Sequence, residues 1–260
     1  MSEIKENKTI FQICINLNDD IEELKKSRKR FLDLNPSWNY LCIESQDHLD
    51  QIMIDNFQKS NDEFENNIYK LYSEIPNLNN GGSKARRIAD ASEKERIRLI
   101  CVLVSRTDIF RLGMIYKFGG LYLDLSSKLE INIDSELARY DCAFVRSPAE
   151  IRSSFIYAKK GHFVIKQILD VAIQRGLVEK CSSQMQLAGP GCITDIVTKI
   201  ANLSLESLDE LVEYKTKIFR GGDLSRKVGW TMNAIWKRDL HKQPDNNPNK
   251  KINNHWHFDY

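Results

Sequence analysis

Between residues 106 and 127 the chain reads RTDIFRLGMIYKFGGLYLDLSS, and the double glycine at Gly119-Gly120 divides this block into two periodicities. Before it, Ile109, Leu112, Ile115 and Tyr116 recur at helical spacing, and Asp108 and Arg111, three apart, share one helical face. After it, Leu121, Tyr122 and Leu123 read as a short strand that delivers Asp124 to its end. Paired glycines tolerate positive backbone angles and close approach of another group, so the helix has to stop there. The block therefore predicts a helix, a tight reversal and a strand, with a carboxylate where the strand leaves the sheet.

That carboxylate suits a hard divalent cation, which takes oxygen ligands and bridges the phosphates of a nucleoside diphosphate. Asp124 and Ser126, two apart, can both face one ligand. Arg111 offers a planar fork for a phosphate or carboxylate, and Asp108 can hold that arginine or accept from a sugar hydroxyl. Taken alone, an Asp-x-x-Arg spacing gives a solvated ion pair and a Gly-Gly gives a turn. Their combination in one block is what points to a site.

The same residues resemble glycosyltransferase family 32, whose pattern is Asp-x-x-Arg followed by Tyr-x-x-Gly-Gly-x-Tyr-x-Asp-x-Asp. Asp108, Arg111, Tyr116, Gly119, Gly120, Tyr122 and Asp124 stand in register with it. KTIFQI (8–13), NPSWNYLCIE (35–44), SSFIYAKKGHFVIKQIL (153–169) and LAGPG (187–191) also resemble family segments. The chain departs from the pattern at Ser126, which stands in place of the second aspartate of Asp-x-Asp; a hydroxyl is a weaker, neutral ligand.

The resemblance implies an α/β fold of GT-A type: a Rossmann-like mixed sheet flanked by helices, with helical insertions, binding the nucleotide at the strand C-termini. It implies a retaining hexosyl transfer assisted by Mn2+ or Mg2+. Asp124, Asp108 and Arg111 are the expected catalytic residues. Gln12, Ile13, Tyr122, Gly120, Gly189 and Pro190 are the expected substrate-binding residues, and Asp124, Ser126 and His255 the expected metal ligands. The expected partners are a nucleotide diphosphate-sugar donor and a saccharide or lipid-linked saccharide acceptor in polysaccharide biosynthesis. Two alternatives stand beside this: a toxin-like transferase that modifies a protein side chain, and an inactive sugar- or nucleotide-binding module, which Ser126 favours.

At 260 residues the chain suits one domain, with the tail from about 243 to 260 as a segment that closes the donor site. A net charge of +2 gives no case for nucleic-acid binding. The basic stretch Lys84, Arg86, Arg87, Lys94, Arg96 and Arg98 offers a peripheral membrane contact, or a solvated helix face balanced by Asp90, Glu93 and Glu95. The six cysteines lack zinc spacing, and neither an apolar leader nor a membrane-length run is present, so free thiols and a cytoplasmic protein, at most bound at the inner membrane face, are expected.

Along the chain, strands are expected at 9–15, 39–44, 141–147 and 153–159. A helix with Ile21, Leu24, Arg28, Phe31 and Leu32 on one side separates the first two. Helical spacing continues from Gln46 to Ser73 with Ile52, Phe57, Phe64, Ile68 and Leu71 inward, and a loop is expected at 76–83. Further helices are expected from Lys84, with Ile88, Ile97, Ile100 and Val104 inward, at 163–175 and at 191–202.

Overall fold

The computed structural model describes residues 4–15, 22–78, 90–125, 127 and 131–220. Its elements are β1 (Thr9–Ile13), α1 (Glu22–Leu34), β2 (Asn39–Ile43), α2 (Gln46–Met53), α3 (Glu63–Leu78), α4 (Ala91–Phe118), β3 (Gly120–Leu123), α5 (Ile133–Glu136), β4 (Cys142–Arg146), β5 (Ile151–Ala158), α6 (Phe163–Ile173), α7 (Gln184–Leu187), α8 (Pro190–Ala201), β6 (Glu210–Leu211) and β7 (Thr216–Arg220).

Seven strands form one sheet in the order β2-β1-β3-β5-β4-β7-β6. β1 is parallel to β2 and β3, whereas β5 runs antiparallel to both β3 and β4. β7 is parallel to β4, and β6 antiparallel to β7. The C-terminal ends of β1, β2, β3, β4 and β7 consequently share one edge, where ligands bind in open α/β sheets. This mixed sheet flanked by helices agrees with the expected α/β, GT-A-type class.

Alternation along the strands divides the core between the two faces. Phe11, Leu41, Ile43, Tyr122, Phe144 and Ile156 pack with buried residues of α2, α3, α4, α6 and α8. Ile10, Leu121, Leu123, Val145 and Phe155 pack on the other face with Phe31 of α1, Trp38, Ile133 and Leu137. The junction between α4 and β3 is built as the glycines predict: Gly119 has φ 67° and donates its N–H to the Ile115 carbonyl, closing the helix.

Several expectations are corrected. The helix expected over 46–73 breaks into α2, a π-helical turn at Ile54–Gln58 and α3. Phe57 is buried in that turn, and Asp62 restarts the helix by accepting from the N–H groups of Phe64 and Glu65. The loop expected from Pro76 is helix as far as Leu78; Ile75 and Leu78 are buried, and the Pro76 carbonyl accepts from Arg98. The described helix α4 runs from Ala91, where Asp90 caps it through the Glu93 N–H; Lys84, Arg86, Arg87 and Ile88, where the expected helix begins, lie outside the described residues.

Ile97, Ile100 and Val104 are only half-buried, because among the described residues fewer neighbours enclose the first half of α4 than its second half; Val102 is the buried position there. Leu32 is exposed while its neighbour Phe31 is buried, so the inward face of α1 is narrower than the sequence pattern implies. The expectation over 163–175 resolves into α6 and a π-helical turn at Gln174–Val178. Strands β6 and β7 were not expected at all.

None of the six cysteines is in a disulfide; Cys14, Cys142 and Cys192 are buried and Cys42, Cys101 and Cys181 half-buried. Arg96 and Arg98 pair with Glu93 and Glu95 on an exposed face, so this part of the basic stretch is a solvated surface. No helix among the described residues is long and apolar enough to cross a membrane.

Candidate functional site

The ion pair that the spacing suggested is buried. Arg111 Nη2 lies 3.3 Å from Asp108 Oδ1, and the two residues are only 6% and 2% exposed. One helical turn of α4 therefore presents a charged pair to the sheet instead of to water.

Arg111 is held on every side. Its Nε donates to the Thr107 carbonyl at 3.2 Å, its Nη2 to Thr107 Oγ1 at 3.3 Å, and its Nη1 to the Ser153 carbonyl at 2.8 Å. Its guanidinium carbon lies 4.5 Å from the Tyr122 ring centroid, a cation-aromatic contact. The Ser153 carbonyl is available because the β4-β5 register shifts between Phe144 and Val145, leaving Ser153–Phe155 without partners on β4.

Asp124 stands one residue beyond β3, at the sheet edge. Its Oδ1 accepts from Tyr122 Oη at 2.9 Å and from Arg111 Nη1 at 3.4 Å. Its backbone is fixed as well: the N–H donates to the Ser154 carbonyl at 2.9 Å, and the carbonyl accepts from the Ser127 N–H at 2.8 Å and Gln12 Nε2 at 3.3 Å. The side chain is 38% exposed, so a carboxylate aimed by buried groups still meets solvent. Gln12 is in turn fixed by Tyr40, whose hydroxyl donates to Oε1 at 2.5 Å.

Three buried polar atoms around this arrangement lack a protein partner among the described residues: Asp108 Oδ2, Ser127 Oγ and Ser154 Oγ. Leaving such groups unpaired costs about 1–3 kcal/mol each, a cost that an incoming polyhydroxylated ligand can offset. Burial raises the Asp108 carboxyl to about 6, with the Arg111 charge opposing and Asp124 reinforcing the shift. Burial also raises the Tyr122 phenol well above its ordinary value, so the ring stays a neutral hydrogen-bond donor.

The structure thus brings together Asp108, Arg111, Tyr122, Asp124 and Gln12. Ile13 ends β1 at the same sheet edge and is half-buried. Gly189 caps α8 and Pro190 opens it. Gly120 sits at the opposite end of β3 from Asp124, with φ 108°, and a Cβ there would lie 2.3 Å from the Thr9 carbonyl oxygen. Its observed part is to let β3 and β1 approach. Ser126, His255 and the whole 243–260 tail lie outside the described residues.

Thr107, Ser153, Ser154 and Ser127 also build the site, and no residue spacing announced them. For a hard cation the donor set is incomplete but of the right kind: Asp124 supplies exposed carboxylate oxygen, and among the described residues no group of three metal-ligating side chains is present.

Comparison with known proteins adds a family-level match. Residues 21–142 match the family described as "Glycosyltransferase sugar-binding region containing DXD motif". The matched stretch holds Asp108, Arg111, Tyr122 and Asp124 and ends before most of β4. Enzymes with that motif generally bind a divalent metal. No curated protein sequence matches significantly.

Among solved structures, the chain is similar to one described as "PaToxG Glycosyltransferase", at 16% identity and TM-score 0.46, covering 76% of this chain and 70% of that one. It is also similar to the UDP-bound glycosyltransferase domain from the YGT toxin, at 8% identity and TM-score 0.44, covering 83% of this chain and 80% of that one. Likeness of this size says nothing about donor or acceptor. With the family match over the charged pair and the sheet-edge carboxylate, the chain is a glycosyltransferase.

Proposed function

We propose that the site takes a nucleotide diphosphate-sugar and moves its sugar, with retention, to a hydroxyl of a saccharide or lipid-linked saccharide in polysaccharide assembly, as family 32 resemblance implies. The observation that carries the donor reading is the buried Asp108–Arg111 pair next to the exposed Asp124 carboxylate, with three buried polar atoms that have no partner among the described residues. A sugar is rich in hydroxyls that both donate and accept, and so matches Asp108 Oδ2, Ser127 Oγ and Ser154 Oγ.

In this reading Asp124, with Ser126 and His255, would hold Mn2+ or Mg2+, which supplies charge neutralisation for the departing diphosphate. Arg111 and Tyr122 hold the Asp124 carboxylate in one orientation before substrate arrives, so no reorganisation is needed during transfer. Asp108 accepts from a sugar hydroxyl and fixes the ring. Gln12 and Ile13 line the base side of the cleft, and the Gly189-Pro190 turn lies on the far side of the sugar. The bond from the anomeric carbon to the diphosphate oxygen breaks, the acceptor oxygen bonds to that carbon, and the proton of the acceptor hydroxyl passes to the departing diphosphate. The 260 residues act as one catalytic domain, with the 243–260 tail excluding water from the donor.

Incubation with UDP- and GDP-sugars and Mn2+, with products separated chromatographically, tests this. Release of one nucleoside diphosphate, increased by saccharide or lipid-linked saccharide, is the expected result. Stimulation by protein acceptors alone would replace it with the protein-modifying alternative. No release from any donor despite nucleotide binding would leave a binding module.

A further inference from the structure

The facing ends of β1 and β2 carry a second cluster. Gln12 of β1 lies opposite Cys42 of β2, so Gln12 and Cys14 share a sheet face with Tyr40 and Cys42. Arg28 of α1 reaches down onto this face, and its Nη2 lies 3.0 Å from Cys14 Sγ and 2.8 Å from Cys42 Sγ. The guanidinium carbon is 5.6 Å from the Tyr40 ring centroid, and among the described residues the carboxylate in an ion pair with Arg28 is Glu44 at 3.9 Å. An arginine aimed at two sulfurs, with its carboxylate partner further away, is an arrangement that stabilises a thiolate.

We propose that Cys14 and Cys42 are a peroxide-oxidised dithiol that closes reversibly to a disulfide under Arg28, at the C-terminal ends of β1 and β2. Cys14 is almost completely buried and Cys42 is half-buried, so a small neutral oxidant such as hydrogen peroxide suits the pair better than a bulky disulfide. The two thiols differ in acidity. A hydrogen bond from Cys42 and the Arg28 charge hold the Cys14 thiol below its usual value despite burial, with Glu44 opposing. The same hydrogen bond, with burial, pushes Cys42 up. Arg28 Nη2 contacts both sulfurs, so the thiolate it stabilises is shared by the pair; with Cys14 attacking, Cys42 resolves.

In the first step the Cys14 thiolate attacks one peroxide oxygen, the O–O bond breaks, and the leaving hydroxide takes a proton to become water. In the second, Cys42 sulfur attacks the sulfenic sulfur, the S–O bond breaks, and the hydroxyl leaves as water with the Cys42 proton. Two thiols lose two electrons and two protons, and one peroxide becomes two waters. Because Cys14 is diagonal to Cys42 and not directly opposite, closure draws the end of β1 toward β2; such a strained bridge is readily reduced. Gln12, two residues back on the same face, bonds both Tyr40 and the Asp124 carbonyl, so oxidation reaches the site.

Peroxide treatment of the full chain, alkylation of the remaining thiols and peptide mapping test this. The expected result is loss of two of the six alkylatable thiols, a linked peptide pair containing Cys14 and Cys42, and recovery of both thiols with dithiothreitol. In Cys42→Ser, the Cys14 sulfenic acid should be trapped by dimedone added together with denaturant, and Arg28→Gln should slow oxidation about tenfold. Cys14 and Cys42 both still alkylated, or Cys14 joined to another cysteine, would overturn the proposal. The wild-type map gives the answer even if a variant does not fold. Loss of nucleotide affinity on oxidation is expected as well; that clause rests on the transferase reading, whereas the thiol map does not.

Discussion

Tyr122 Oη donates to Asp124 Oδ1 at 2.9 Å across two residues of the same chain segment, so a buried ring fixes the direction of a carboxylate that meets solvent. Arg111 reaches the same oxygen from α4. The carboxylate is therefore oriented before any ligand arrives, and replacing only its charge separates chemistry from architecture. Asp124→Asn is expected to lower transfer more than about a hundredfold while leaving circular dichroism and the melting temperature close to wild type. Near-normal turnover with unchanged metal dependence would remove Asp124 from the mechanism.

Asp108 yields a prediction with a sign. Its folded value of about 6 is above the unfolded value of 3.8, so the folded protein binds the extra proton. Stability from this group is complete at low pH and is lost as the pH rises from about 4 through about 6. Asp108→Asn, neutral throughout, should be more stable than wild type at pH 7 by up to about 3 kcal/mol, and the difference should vanish near pH 4. Activity should fall at the same time. Denaturant melts at the two pH values check this; a variant destabilised equally at both would contradict it.

Arg111→Lys keeps the charge and loses the fork. Lysine cannot reach Thr107, Ser153, Asp108 and Asp124 together, so the variant should lose about 2–3 kcal/mol of stability along with most activity. A melt showing no change would mean that the buried contacts of Arg111 contribute nothing.

Gly120→Ala separates a structural glycine from a ligand-binding one. The added Cβ meets the Thr9 carbonyl at a positive φ, so a destabilisation of about 1–3 kcal/mol is expected. Activity per folded molecule should stay close to wild type, since Asp124 is at the other end of the strand. A stable Gly120→Ala protein with lost nucleotide affinity would assign Gly120 to the donor.

Local patterns made the main elements readable. The helical spacing before Gly119 and the apolar run after Gly120 give α4 and β3, and Asp108, Arg111, Tyr122 and Asp124 converge because those two elements are consecutive in the chain. What the sequence hides depends on distant partners. Strand β6 has only two residues and β7 only Ile218 and Phe219 as apolar side chains, so both carry little apolar signal. The Ser153 carbonyl enters the site through a register shift that only the β4-β5 pairing creates. That the Asp108–Arg111 pair is buried and not solvated is set by the sheet beneath it, and the same helical spacing is compatible with either outcome. Cys14, Cys42 and Arg28 come together from three elements with no shared motif.

Calorimetric titration with UDP and GDP, each with and without Mn2+, on wild type and Asp124→Asn, tests the central claim most directly. The account predicts that one nucleotide binds the wild type only with Mn2+, and that this binding is lost in Asp124→Asn. Equal binding without metal and by the variant, or no binding of either nucleotide, would contradict it.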